Sequence, residues 1–512
     1  MPRSASSHLL VRLCCLTFLV TAGQCQLLAA ESTKPNILFI IFDDWNGSTH
    51  ASAYGCDWVK TPNFDRVARE GVLFKHVFTS NPKCSPCRAS ILTGRNTWQL
   101  KEAVNHGGLF PSGFEVYPDL LERAGYFVGL TGKGWGPGDF KTNGRTRNPA
   151  GPSFDSAKLK PPASGIGKLD YAANFETFLK SKPENQPFCF WMGFQEPHRA
   201  YELGSGERLG KSLDQVKVPS YLPDVPAVRS DLLDYAVEVE WGDAQIGRAL
   251  DILQSAGELD NTLVVVTSDH GMPFPYVKGQ IHEDGFRLPL AMRWGSTIKA
   301  GRVVDDFVNV RDLAPTFLEL AGLKPHEQMT GSSLYAILKS ERSGWIENRD
   351  KMLIGKERHD IGRPFDQGYP VRALRTRDYL VVHNFHPERW PACNPETDFG
   401  NCDPGPTKEI IKALGGHFYE LSFGKRPADE LYRLSDDPEC VRNLANDLAF
   451  RDTLMQMQSQ MMNMLKAEGD PRALGHPEVF DDYRYLGGRA KGYETWLKKQ
   501  EPGLLPSAPK KK

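Results

Sequence analysis

Cys84-Ser85-Pro86-Cys87-Arg88 sets a thiol, a proline and an arginine at spacings suited to holding an anion. Proline fits the first turn of a helix, where its missing N–H costs nothing. Cys84 then falls at the amino end, among backbone N–H groups that no earlier carbonyl satisfies. That position favours negative charge, whether a thiolate or a bound oxyanion. Arg88 follows about one turn later on the same face and can neutralise it. Read from the residues alone, the segment is an anion site containing a nucleophile. Cys84 and Cys87 also share the C-x-x-C spacing of redox and zinc pairs. No second such pair and no nearby histidine cluster accompanies them.

Two further groups have the character of metal ligands. Asp43 and Asp44 are adjacent carboxylates whose repulsion a cation or a proton must relieve. Oxygen donors of this kind suit a hard ion, Ca2+ or Mg2+. An exposed acidic turn would explain the pair without any metal. Asp269-His270 offers an oxygen and a nitrogen, and its imidazole would suit zinc better.

These residues need a frame, and the chain supplies one. Residues 36–42 form a continuous apolar run, expected of a strand buried on both faces. Similar runs occupy 126–131, 188–194 and 262–267. Helical patterns lie between and after them: one opened by Thr61-Pro62 and closed by Gly71, one from Tyr117-Pro118 to Gly125, and others over 231–256 and 310–321. The alternation predicts an α/β three-layer sandwich with a large mixed, mostly parallel sheet. In such sheets ligands bind beyond the carboxyl ends of the strands. Four strands here end in Asp43-Asp44, Gly132-Lys133, Glu196-Pro197-His198 and Ser268-Asp269-His270. After about residue 350 the texture changes to antiparallel strands at 371–374 and 379–384, a Pro/Gly/Asn-rich stretch, a strand near 430–434 and a helix near 452–467. This predicts a smaller C-terminal α+β domain with an antiparallel sheet.

The signature Cys84-x-Pro86-x-Arg88 followed by Thr93-Gly94 resembles that of the sulfatase family, whose cysteine a maturation enzyme oxidises to formylglycine. Ser85, Ala89, Ser90 and Leu92 fit as well. The aspartate pair, Thr61-Pro62-Asn63-Phe64-Asp65 and the later motifs come in family order, so the resemblance spans roughly residues 34–446. It implies a calcium-dependent hydrolase whose hydrated aldehyde attacks sulfur with one hydroxyl and expels sulfate with the other. Asp43, Asp44, Asp269 and His270 match the family's metal ligands, with the modified Cys84 completing the set around one Ca2+, or Mg2+ in its place. Many relatives carry asparagine where His270 stands. Arg88 would steady the nucleophile, Lys133 and Lys278 would bind sulfate oxygens, and His198 would deliver a proton to the leaving atom. Relatives usually place a histidine two residues after Lys133, and this chain has Trp135. His106 and His282 are the candidates to replace it.

Within the family, Glu196-Pro197-His198-Arg199, Gly271-Met272-Pro273-Phe274-Pro275, 380–385 and 430–445 resemble most the N-sulfoglucosamine sulfohydrolases, the heparan N-sulfatases. The expected substrate is then the N-sulfate of glucosamine in a heparan-type chain. The alternatives are an O-sulfatase on another sulfated polysaccharide, a phosphomonoester or phosphodiester hydrolase of the same superfold using zinc, and a non-enzymatic binder of sulfated glycans. Arg145, Arg147, Arg372 and Arg375 are candidate contacts to an acidic sugar.

Lys+Arg 62 against Asp+Glu 63 leaves a formal net charge of −1 over 512 residues, which gives no whole-chain attraction to nucleic acid or anionic membrane. Arg3 and Arg12, the apolar run 13–20 and Ala29-Ala30 read as an export signal too short to span a bilayer. A lipoprotein anchor at Cys25 is the other reading, with Gln24 arguing against it. The expected division is 1–30 signal peptide, 31–365 catalytic domain, 366–500 C-terminal α+β subdomain and 501–512 flexible basic tail. Cys393 and Cys402 bracket a loop and stand either as a local disulfide or as two free thiols. Asn46-Gly47-Ser48 is a glycosylation sequon beside the aspartate pair, and its position favours a periplasmic or secreted bacterial protein over a lysosomal one. The expected partners are a sulfated glycan and the formylglycine-generating enzyme, with no nucleic acid and no membrane span.

Overall fold

The computed structural model describes residues 34–295, 297–486 and 492–500. The expected export signal and the tail from 501 lie outside them. In chain order the strands are β1 (Asn36–Phe42), β2 (Val72–Phe74), β3 (Val77–Phe78), β4 (Phe127–Gly132), β5 (Phe188–Gly193), β6 (Thr262–Ser268), β7 (Arg287–Leu288), β8 (Leu290–Arg293), β9 (Arg302–Val304) and β10 (Val308–Asn309). β11 (Lys351–Lys356), β12 (Val371–Thr376), β13 (Tyr379–Asn384) and β14 (Asp429–Arg433) complete them.

The large sheet runs β4-β5-β1-β6-β8-β2-β9. Its first four strands are parallel, in the registers Phe127↔Phe188, Ile37↔Cys189 and Asn36↔Thr262, and β8 is antiparallel to β6 and β2. Every residue of β1 is buried, because alternate side chains enter different cores. Leu38, Ile40 and Phe42 pack with Phe175 and Phe178 of helix Tyr171–Ser181 and with Leu232, Val239 and Ile246 of helix Pro226–Ser255. Ile37, Phe39 and Ile41 pack on the other side with Tyr117, Leu121, Leu313 and Phe317. Each such side chain contributes roughly 1.5–3 kcal/mol by leaving water. This is the expected three-layer sandwich.

β11 to β14 form a separate antiparallel sheet in that order, and its first strand precedes residue 366. One face packs Ile354, Val371, Ala373 and Val382 against Phe78, Phe286 and Phe307. The other meets Met457, Met461 and Leu465 of helix Arg451–Ala467. Among the described residues no helix is long and apolar enough to cross a membrane.

Candidate active site

β4, β5, β1 and β6 are neighbours and parallel, so their carboxyl ends share one edge. Lys133, His198, Asp43-Asp44 and Asp269-His270 all leave the sheet there. Asp44 turns at φ 73, a left-handed conformation that aspartate tolerates better than most residues. Its N–H donates to Asp269 Oδ1 at 3.1 Å, tying the two strand ends together.

Helix Cys84–Thr93 enters this edge with all ten residues buried, its amino end following the extended Lys83. Cys84 Sγ lies 3.3 Å from His270 Nε2. From the next turn Arg88 donates through Nε to Asp269 Oδ2 at 2.9 Å and through Nη1 to Lys133 O at 2.7 Å, and its Nη2 lies 3.4 Å from Asp43 Oδ1. A fully buried guanidinium needs such compensation. Lys133 also pairs with Asp43, and Lys278 pairs with Asp44 and, at 2.7 Å, with Asp403 Oδ2.

The charges set one another. Burial acts to raise Asp43, but Lys133 and Arg88 outweigh it and hold the carboxyl far below the usual range. Asp44 is likewise lowered against burial, by Lys278 and His270. Burial pushes Asp269 up to about 7. Burial and Asp43 oppose ionisation of the Cys84 thiol, yet Lys133, His270 and a hydrogen bond from His106 carry it well below the ordinary value. Cys87 is pushed the other way by burial and Asp269, so the two cysteines are not an equivalent redox pair.

Ligand atoms of Asp43, Cys84, Asp269 and His270 all lie within 4.8 Å of one another, and those of Asp43, Asp44 and His198 form an overlapping group. Asp44 Oδ1 is buried without a hydrogen bond, although His270 Nε2 stands 2.9 Å away. A carboxylate-dominated set with an orphaned oxygen fits a hard divalent cation. His270 donates its Nδ1–H to Gly271 O at 3.0 Å, which leaves Nε2 facing the cluster.

His198 stands at the mouth, with Nδ1 2.7 Å from Arg199 O. Trp135, which occupies the site of the missing histidine, donates its indole N–H to Ser85 O at 3.1 Å and packs on Phe110. His106 comes to Cys84 instead, and its Nδ1 is 2.7 Å from Asp360 Oδ1. His282 is stacked on Tyr276 and paired with Glu430, a packing position.

Of the two readings for Cys393 and Cys402 the free thiols hold, while the four arginines are corrected. Cys393 and Cys402 are free thiols, directed at Asp360 O and Asp403 O, each at 3.7 Å. None of the four arginines is a free sugar contact. Arg145 and Arg147 pair with Asp119, Arg372 is buried against Asp470 and Glu357, and Arg375 against Glu283. Asn46 is fully buried, so a glycan is sterically excluded from the folded sequon. Lys83, Asp360, Asp403 and Glu238 were not foreseen. Lys83 pairs with Asp360 at 3.0 Å, and both acids come from loops distant in sequence with no periodic signal. A cleft of about 220 Å3 opens from the cluster, lined by Asp43, Lys133, Gly165, Gln195, His198 and Glu238 among others.

Residues 35–323 match the family model for sulfatases, and 269–397 match that for the C-terminal region of N-sulphoglucosamine sulphohydrolase. Human N-sulphoglucosamine sulphohydrolase is 28% identical over 89% of this chain and 94% of its own length. An ulvan-active sulfatase of Formosa agariphila is 24% identical over 88% and 77%. A solved structure in complex with its substrate D-glucosamine-2-N,6-O-disulfate superposes with a TM-score of 0.64 at 20% identity, covering 85% of this chain and 98% of that one. The phosphonate monoester hydrolase of Agrobacterium radiobacter shares the fold with a TM-score of 0.62 at 20% identity, over 85% and 96%.

Proposed function

The chain belongs to the sulfatase family, a hydrolase of sulfate esters or sulfamates, and from that premise we propose that it cuts the S–N bond of a glucosamine N-sulfate in a heparan-type glycan. The observation that carries the chemistry is the Cys84 side chain at a buried helix start, against a carboxylate cluster and three cations. The match of the C-terminal region and the human relative support the sulfamate as the bond cleaved.

Asp43, Asp44, Asp269 and His270, with residue 84, would hold one divalent cation, Ca2+ by the preponderance of oxygen donors. When bound, such an ion supplies Lewis acidity at a sulfate oxygen. Oxidised to formylglycine, residue 84 would supply a hydrated aldehyde as covalent nucleophile.

The remaining chemistry belongs to the chain's own side chains. Arg88, pinned by Asp269 and Lys133 O, fixes the orientation of residue 84. Lys133 and Lys278 offer ammonium groups to the sulfate oxygens, where charge spreads in the transition state. His198 lies at the mouth of the cleft, the side from which the leaving nitrogen departs, and gives it a proton. His106 takes the part vacated at Trp135. Asp360 holds its Nδ1, so Nε2 is the atom that exchanges a proton with the side chain at residue 84. The enzyme works after export, and a formylglycine-generating enzyme is its maturation partner.

The test is sulfate release from a panel of defined glycosaminoglycan and algal fragments, with mass analysis of the peptide containing residue 84. N-sulfoglucosamine ends should be desulfated, and the peptide should carry an aldehyde. Release only from O-sulfated fragments would move the enzyme to the O-sulfatase reading, and release of phosphate with zinc bound would move it to the phosphohydrolases. Full activity with a free thiol at residue 84 would end the mechanism.

A further inference from the structure

Glu238 projects from helix Pro226–Ser255 into the wall of the cleft that holds Asp43, Lys133 and His198. It is 2% exposed, and its Oε2 has no hydrogen-bond partner among the described residues. A buried, unpaired carboxyl is a costly thing for a fold to keep, and such groups call for an explanation. The nearest cation gives none. The Arg199 guanidinium is committed to Asp231, with two hydrogen bonds of 2.7 Å, and to Pro273 O at 3.0 Å.

The surroundings keep the group protonated. Burial, then repulsion from Glu196, push it up to about 9, against a smaller pull from Arg199. A protonated carboxyl offers one O–H donor and a carbonyl acceptor on adjacent atoms. A sugar hydroxyl, donor and acceptor in one atom, is its natural complement. Gln195 lines the same cleft with a second donor–acceptor pair, and Gly165 borders it at a positive φ where a side chain would meet Ala200 O at 2.3 Å. The cleft is thus lined by Asp43, Lys133 and His198 together with Gln195, Glu196, Arg199 and Glu238, and of these the Arg199 guanidinium is already tied to Asp231 and the Glu196 carboxyl to Tyr171 Oη and Gly167 N.

Resting on the sulfatase reading above, we propose that Glu238 is a specificity-determining residue that hydrogen-bonds an uncharged hydroxyl of the leaving sugar next to the sulfated position.

The test is calorimetric binding to Cys84→Ala protein, with and without Glu238→Ala or Glu238→Gln, of two probes: inorganic sulfate and the methyl glycoside of N-sulfoglucosamine. Glu238→Ala should weaken the glycoside at least about tenfold and leave sulfate within about twofold. Glu238→Gln, which keeps a donor and an acceptor, should hold the glycoside within about threefold. In Cys84-containing enzyme Glu238→Ala should raise KM for the glycoside with kcat little changed. Equal weakening of both probes, or no change in either, overturns the inference while leaving the sulfatase reading intact. Failure of either probe to bind the Cys84→Ala protein at all overturns both.

Discussion

On the proposed mechanism His106 would take up the reaction role for which Trp135 is unsuited. The imidazole comes from a loop after the signature helix, and its orientation rests on Asp360, itself held by Lys83 at 3.0 Å and by Tyr485 Oη at 3.1 Å. A histidine so oriented exchanges a proton at one nitrogen only. His106→Asn should therefore lower kcat about 100-fold or more, the ordinary range for losing a general acid or base, with KM little changed. Asp360→Asn should cost less, because it loosens the ring without removing it. Steady-state kinetics on N-sulfoglucosamine checks both, and an unchanged kcat for His106→Asn would return the role to some other group. His282, the other candidate from the sequence, is packed between Tyr276 and Tyr432 and should tolerate asparagine with a loss of stability rather than of turnover.

Strand ends do the positioning, and one glycine sets its tolerance. Lys133 O receives hydrogen bonds from Arg88 and, at 2.9 Å, from the Trp191 indole, while Lys133 N donates to Gly193 O at 2.7 Å. A methyl on Gly193 would fall 1.9 Å from Lys133 O, a backbone atom with nowhere to go. Gly193→Ala should shift the Lys133 ammonium and lower kcat/KM at least about tenfold, since misplacement of about 1 Å is that costly. Its destabilisation should stay near the 1–3 kcal/mol of overpacking, readable by denaturant melts. The large sheet was legible because parallel strands buried on both faces leave uninterrupted apolar runs, and their ends could be read directly as Asp43, Lys133, His198 and Asp269. The long helix begins at Pro226 rather than 231, since proline is welcome at a helix start and the periodic pattern shows only later. The small sheet hid more. Arg372 and Arg375 read as candidate sugar contacts because no spacing rule joins them to their carboxylate partners, Asp470, Glu357 and Glu283. Asp360, Asp403 and Glu238 were invisible for the same reason.

At the scale of the whole molecule, stability should respond to both protons and metal. Glu430 is buried on β14 and accepts a hydrogen bond from Asn384 Nδ2 at 2.7 Å. Burial alone would raise it, but His282 and Arg426 bring it down to about 2 from an ordinary 4.5. A depressed carboxyl contributes stability that is present above the unfolded value and lost as pH falls through the folded one. The window is thus about pH 4.5 down to 2, worth on the order of 3 kcal/mol. Glu430→Gln should be less stable at pH 7 and show a flatter loss across that window in urea melts taken at a series of pH values. A bound divalent ion should act in the same currency, adding about 2.7 kcal/mol at a hundredfold excess over its dissociation constant. Chelation should lower both Tm and activity, with Ca2+ restoring them better than Zn2+; the reverse order would favour a zinc centre built on His270. The helix that begins at Cys84 has a further consequence, for timing. It shows no face to solvent, and residue 84 is 1% exposed. A modifying enzyme of the kind proposed would need to reach residue 84, and that access closes when this segment is enclosed. On the proposed maturation, the oxidation and the folding of the chain would be rivals in time, and a molecule that finished folding first would keep its thiol.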